Sequence, residues 1–221
     1  MRRGVPVLVL ALLAAGCGGS SKHVASTPIP PQPSKGSTTC TKVTAPPARQ
    51  DAHRQAPPPL PPGKTYTALV TTNCGSFRIA LDPKQSPHAV ASFVALARDG
   101  YFDHTIFHRI VPGFVIQGGD PTQTGAGGPG YTTVDTPPQD ARYARGIVAM
   151  AKTQTEPSGA AGSQFFVVTG DASFLTPDYA LLGKVVKGMD VVGKIGKLGR
   201  RSEEGTPTRI VVVRSIQISS S

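Results

Sequence analysis

Arg109 and Gln117 are where chemistry can first be argued, because each stands in a short apolar run in which a polar side chain has to be accounted for. The runs read Phe107-His108-Arg109-Ile110-Val111 and Phe114-Val115-Ile116-Gln117, joined by Pro112-Gly113 and closed by Gly118-Gly119-Asp120. Pro presets φ at the second position of a turn and Gly accepts a positive φ at the third, so the spacing predicts strand, turn, strand. Period-two alternation then predicts that Phe107, Arg109 and Val111 share one face of the first strand, and Val115 and Gln117 one face of the second. The run contains no acid before Asp120, and an unpaired buried charge is costly. Arg109 therefore either snorkels to solvent from an edge strand or is kept in place for a function.

Other combinations exclude themselves. His104 and His108 straddle a strand start, where residues four apart lie about 13 Å from each other, and the Glu of a zinc-protease motif is absent, so no metal is implied. Ser158 and Ser163 lack the G-x-S-x-G setting of a nucleophilic serine. Gly125-Ala126-Gly127-Gly128-Pro129-Gly130 contains a formal G-x-G-x-x-G, yet Pro129 and the Thr- and Pro-rich residues 131–138 forbid the helix that a dinucleotide fingerprint needs. It reads as a long loop.

The elements around these runs are mostly strands. Residues 66–73 and 76–81 form a hairpin about Asn73-Cys74-Gly75. Ser86-Pro87 opens a helix, Ser86 as N-cap and Pro87 as first helical residue, with Ala89, Val90, Phe93, Val94 and Ala97 on one face until Gly100. Residues 146–151, 163–168 and 181–186 read as buried strands, residues 189–195 as a short helix and 210–218 as a last strand.

As written, F-H-R-I-V-P-G-F-V-I-Q-G-G-D over residues 107–120 resembles the signature of the cyclophilin family of peptidyl-prolyl cis/trans isomerases. G-I-V-A-M-A at 146–151 and G-S-Q-F-F at 162–166 fit the same family. The resemblance covers residues 66–218 and implies a mostly β fold, a closed antiparallel barrel of about eight strands capped by helices. It also implies the chemistry. The X-Pro bond rotates over a barrier of roughly 18–20 kcal/mol, and a donor aimed at the prolyl nitrogen is bonded in the twisted state only. By resemblance that donor is Arg109, with Phe114 and Gln117 completing the catalytic group. One charge-assisted hydrogen bond contributes about 1.5–3 kcal/mol, whereas a 10⁵-fold acceleration requires about 7 kcal/mol. The remainder falls to a dry pocket that grips the proline ring and to groups that hold the neighbouring backbone. Val115, Phe166, Phe174, Leu175 and Tyr179 resemble the pocket side of that site. His108, Gln164 and the backbone of Ala151 and Lys152 resemble the peptide clamp. No nucleophile, metal or cofactor is called for. Where the family often has Met, Asn, Trp and His, this chain has Val115, Lys152, Phe174 and Tyr179. Lys152 is expected to be harmless, since that position offers chiefly backbone, and Phe174 removes an indole donor, which implies weak binding of the family's inhibitor cyclosporin.

Composition divides the chain at Gly63. All eight Phe and all five Tyr lie beyond it, while the first 63 residues hold 12 of the 22 prolines and +6 of the formal net charge of +10. Residues 64–221 can therefore build a domain and residues 17–63 read as a Pro-rich disordered tether. The remaining positive charge is dispersed, without a Lys/Arg cluster interleaved with aromatics, which argues against nucleic acid. Arg2-Arg3, an apolar run and Leu13-Ala14-Ala15-Gly16-Cys17 read as a bacterial lipoprotein signal peptide over residues 1–16, with Cys17 acylated, for instance by palmitate; an ordinary signal peptide cut elsewhere is the alternative. The expected location is extracytoplasmic, anchored by lipid to the bacterial cell membrane, and the chain is read as a monomer. In an oxidising compartment Cys40 and Cys74 form a disulfide candidate, against two unpaired thiols, and the bond would hold the arm to the barrel as an extended strap. Proline-containing polypeptide segments are the expected substrate. A proline-binding chaperone or scaffold with incidental turnover is the second reading, and a structural envelope protein the third.

Overall fold

The computed structural model describes residues 39–50, 54–200, 202 and 204–221; the candidate signal peptide and Cys17 lie outside them. The strands are β1 (Tyr66–Thr72), β2 (Gly75–Leu81), β3 (Thr105–Ile106), β4 (Arg109–Val111), β5 (Val115–Gly118), β6 (Thr133–Val134), β7 (Ile147–Met150), β8 (Ala160–Ala161), β9 (Phe165–Val168), β10 (Leu181–Lys187) and β11 (Val212–Ser220). The helices are α1 (Pro87–Arg98) and α2 (Met189–Gly196). Nine strands make one sheet in the order β3-β11-β1-β2-β10-β7-β9-β5-β4, and β6 pairs with β8. Nine flat strands would set β3 and β4 about 38 Å apart. These edge strands are consecutive in the chain, with only Phe107 and His108 between them, which allows about 11 Å. The sheet must therefore curl strongly.

The expected closed barrel of about eight strands is in detail a nine-strand antiparallel half-barrel whose ladder stops between β3 and β4. At that seam the backbone turns to the segment before β11 instead: Phe107 N–H donates to the Val211 carbonyl at 3.0 Å and Ile110 N–H to the Gly205 carbonyl at 2.7 Å. The bend also breaks the alternation predicted for the first run. Phe107 is in the core with Ile110, while Arg109 turns to the opposite face.

Alternation along the central strands sorts two apolar clusters. Val148, Met150, Phe165, Val167 and Ile116 face the main core, where Phe93, Phe102 and Phe107 pack around Phe165 with ring centroids 5.5, 5.9 and 6.1 Å away. Val115, Ala149, Phe166 and Val168 face the other side and join Tyr143 and Ala172 in a second cluster. Both faces of β9 are thus covered, which explains why its sequence is continuously apolar.

α1 packs on β11 and β6, and α2 on β2, β4 and β5. The N-cap of α1 departs from expectation. Ser86 occupies the position but makes no side-chain cap bond. The Asp135 carboxylate, brought from the loop after β6, accepts from His88 N–H at 3.0 Å and Ala89 N–H at 2.7 Å, and its other oxygen meets His88 Nδ1 at 2.8 Å. These are the orphan donors that an N-cap side chain would take. Asp135→Ala is expected to cost about 1–3 kcal/mol by leaving them unsatisfied, which for a domain of this size lowers Tm by several degrees in a calorimetric scan, whereas Ser86→Ala changes little.

Residues 39–50 and 54–63, assigned by composition to a disordered tether, contain no helix or strand yet are tied to the sheet. Cys40 and Cys74 form a disulfide, both buried, across a sequence separation of 34. Thr41 N–H donates to the Asn73 carbonyl at 2.9 Å, and Leu60 packs on the main core. Gly63 marks where regular strands begin, whereas among the described residues Cys40 is already buried in the core.

Candidate active site

The site grows from the β4–β5 hairpin. Pro112-Gly113 fills the two central turn positions with Gly113 at φ 78°, and Phe114 N–H donates to the Val111 carbonyl at 3.0 Å. The turn fixes a register in which Arg109 lies opposite Gln117, so cation and amide are direct cross-strand neighbours. Arg109 Nη1 lies 3.5 Å from Gln117 Oε1, a long hydrogen bond, and its guanidinium carbon sits 5.9 Å from the Phe114 ring centroid. Thr169 N–H donates to the Phe114 carbonyl at 2.7 Å and ties the turn to the end of β9. Burial lowers the Arg109 guanidinium from its ordinary value, and charge interaction with Tyr179 opposes the shift.

Arg109 forms one side of a cavity of about 360 Å³ on the outer face of the curled sheet. Phe114, Val115, Gln117, Ala151, Lys152, Phe166, Phe174, Leu175 and Tyr179 complete it. The structure brings all ten of these residues, each singled out through the resemblance, around one cavity, and that cavity lies outside the core, which the sequence did not indicate. Phe174 is 66% exposed and packs at a tilt against Phe114, ring centroids 4.9 Å apart, so it forms part of the rim. Tyr179 stands edge-on to Phe166 at 5.4 Å.

A second cavity of about 430 Å³ shares Gln117, Ala151 and Lys152 with the first and is walled by the glycine-rich loop, residues 125–130. Gln164 belongs here. Its Nε2 donates to the carbonyls of Gly125 at 2.8 Å and Gly127 at 3.0 Å, and its Oε1 accepts from Gln117 Nε2 at 3.0 Å. Asp120 shapes that loop. Its fully buried carboxylate accepts from the N–H groups of Thr122, Thr124, Gly125 and Gly127 and from the Thr122 hydroxyl, at 2.7–3.2 Å. A Cβ at Gly127 would collide with the Asp120 carboxylate, so the close approach requires glycine there. Sequence reasoning treated Asp120 only as the end of a run; the Asp-x-Thr spacing of an Asx turn was the available signal.

Lys152 does more than offer backbone. Its side chain is 4% exposed, Nζ lies 2.6 Å from Asp178 Oδ2, and it also donates to the Thr153 and Glu156 carbonyls at 3.1 Å. The ammonium holds the Asp178 carboxyl below its ordinary value. This buried cation fastens the loop after β7 to the segment that carries Tyr179. Tyr143, also missed, supports the same segment: its hydroxyl donates to the Tyr179 carbonyl at 2.8 Å and accepts from Tyr179 N–H at 2.9 Å. Ala151 N–H is already engaged by the Gln164 carbonyl at 2.8 Å.

His108 alone among the expected peptide-clamp residues lines neither cavity. Both ring nitrogens are buried with no hydrogen-bond partner among the described residues. Burial lowers the imidazole from its ordinary value, opposed by the Asp120 carboxylate and reinforced by Arg109. Among the described residues no group of three or more His, Cys, Asp or Glu side chains could hold a metal ion.

The sequence profile described as cyclophilin type peptidyl-prolyl cis-trans isomerase matches residues 67–218. Peptidyl-prolyl cis-trans isomerase A of Dickeya dadantii is 36% identical over 162 residues, covering 68% of this chain and 83% of that protein. The protein of the same name from Mycobacterium tuberculosis is 36% identical over 176 residues, covering 72% and 94%. Among solved structures, a cyclophilin type peptidyl-prolyl cis-trans isomerase of Cryptosporidium parvum, crystallised in the presence of the dipeptide Ala-Pro, superposes with a TM-score of 0.63 at 32% identity, covering 70% of this chain and 99% of that one.

Proposed function

The chain belongs to the cyclophilin-type peptidyl-prolyl cis-trans isomerase family, acting on proline-containing peptides, and from that premise we propose that Arg109 supplies the transition-state hydrogen bond in the cavity walled by Phe114, Val115 and Phe166. The observation that carries this reading is the Arg109–Gln117 cross-strand pair at the edge of an apolar cavity. The proline ring fills the apolar part, which removes it from water and fixes the axis about which the amide turns. As the bond twists, the prolyl nitrogen regains a lone pair, and the half-buried guanidinium bonds it with little competition from solvent. Gln117 and Phe114 hold the guanidinium in place. Gln164 and the backbone of Ala151 and Lys152, which line the second cavity, would hold the residues flanking proline. No covalent intermediate enters this mechanism.

The clients are polypeptides outside the cytoplasm, and the chain works as a monomer anchored through acylated Cys17. The buried Cys40–Cys74 disulfide supports the extracytoplasmic assignment, since such bonds persist in oxidising compartments. Slow refolding provides the test. A protein whose refolding waits on prolyl isomers over tens to hundreds of seconds should lose that phase when substoichiometric chain is added. An unchanged slow phase would contradict the proposed role on protein clients.

A further inference from the structure

The strap, residues 40–50 with Arg54, meets the active site through the loop that walls the second cavity. The Pro46 carbonyl accepts from Gln123 Nε2 at 2.8 Å, Arg49 N–H donates to the Pro121 carbonyl at 2.9 Å, and Arg54 N–H donates to the Pro129 carbonyl at 3.0 Å. These bonds fall near the start and near the end of residues 121–130, a segment without helix or strand that contains Gly125, Gly127, Gly128 and Gly130. Such a segment holds a shape only if groups outside it do so. Asp120 and Gln164 hold its middle, and the strap holds its two flanks. Gln123 stands at the junction with φ 63°, a backbone conformation that L side chains seldom adopt.

The connection continues inward. The Gly125 and Gly127 carbonyls accept from Gln164, Gln164 accepts from Gln117, and Gln117 accepts from Arg109. At its other end the strap is fastened by the disulfide to the β1–β2 turn and by Asn73 Nδ2, which donates to the Thr41 carbonyl at 2.7 Å. Beside the loop, the Arg49 guanidinium donates to the carbonyls of Tyr101 and Asp103, both at 2.7 Å, and Arg54 Nη1 lies 2.6 Å from Asp99 Oδ2. The strap itself precedes residue 67, where the match to the family begins.

We propose that the strap is a positioning element for substrate binding: tied down by the Cys40–Cys74 bond, it sets the 121–130 wall and thereby the grip on residues flanking proline. The proposal rests on the isomerase reading, and it predicts an effect on KM with little on kcat, because no described strap residue lines the proline cavity around Phe166 and the network from the loop reaches Arg109 through the long 3.5 Å bond that it donates to Gln117.

The test compares the full wild-type chain with Cys40→Ser and with Gln123→Gly, which removes the bond to Pro46 without straining the backbone. Exchange spectroscopy would follow an octapeptide centred on Ala-Pro and a blocked Ala-Pro dipeptide, with amide hydrogen exchange read over residues 122–127. In both variants exchange there should rise and KM for the octapeptide increase, by about 5-fold in Cys40→Ser and less in Gln123→Gly, with kcat within about 2-fold and the dipeptide unaffected. Faster exchange confined to residues 39–50 and 72–75 with unchanged octapeptide kinetics would overturn the proposal. So would an equal loss on both substrates in a folded variant, since that marks a general structural role. Should Cys40→Ser fail to fold, Gln123→Gly decides by the same readings. Absence of turnover by the wild-type chain would instead remove the isomerase reading, and hydrogen exchange in the variants would still decide whether strap and loop are coupled.

Discussion

Arg109→Ala is expected to lower kcat/KM for X-Pro rotation by at least roughly 10²-fold while the domain stays folded. A 10²-fold loss corresponds to about 2.7 kcal/mol, inside the range of one charge-assisted hydrogen bond made in the twisted state only. The fold should survive because β4 is held to the core by Ile110, which is fully buried, whereas Arg109 faces the cavity. Arg109→Lys should recover only part of the loss. An ammonium is a point charge without the planar fork that lets one guanidinium meet Gln117 and the prolyl nitrogen together. A protease-coupled or direct spectroscopic isomerisation assay, read beside circular dichroism of the same samples, measures both statements.

Asp120→Ala should have the largest effect on stability. The carboxylate is the common acceptor for four backbone N–H groups and one hydroxyl, and its removal leaves a glycine-rich loop without its organiser. Each donor left unsatisfied in a buried place costs about 1–3 kcal/mol, and water can reach part of this loop, so a loss of about 2–4 kcal/mol in denaturant titration is expected. Asp120→Asn should also destabilise, because its NH₂ would face backbone donors where the carboxylate offers a second oxygen. A pH signature follows. Burial raises the Asp120 carboxyl, but the hydrogen bonds from Thr122, Gly127 and Gly125 outweigh it and the net shift is downward. With its folded value below the unfolded one of about 3.9, the stabilisation is complete above the unfolded value and is lost as pH falls through the folded one. Asp120→Ala should remove that part of the acid-side slope of stability.

The strand–turn–strand around the site was legible because Pro112-Gly113 stands between two apolar runs; the register that places Arg109 beside Gln117 comes from the structure. The aromatic wall was legible only through the resemblance: Phe165-Phe166-Val167-Val168 is uniformly apolar, so nothing in its pattern tells which residues face the core and which the cavity. What escaped sequence reasoning shares one physical property, that the partners are distant in the chain. Asp135 caps a helix 46 and 47 residues earlier, and the Tyr143 hydroxyl meets the backbone of a residue 36 positions on. Lys152 was read for its backbone, although its side chain is buried against Asp178. The strap was legible in part. Its proline content argued for disorder, while Cys40 and Cys74 argued for an extended strap, and the structure has the bond; what the sequence did not indicate is that Arg49 and the Pro46 carbonyl add further ties.

Exchange NMR on an Ala-Pro peptide with substoichiometric full chain tests the central claim most directly, since it reports binding and rotation in one sample. Cis–trans exchange cross-peaks should appear with the wild-type chain and fade with Arg109→Ala, while peptide-induced shifts at Phe114 and Phe166 persist in both. Shifts at those residues without exchange cross-peaks in the wild-type chain, or cross-peaks of equal intensity with Arg109→Ala, would contradict it.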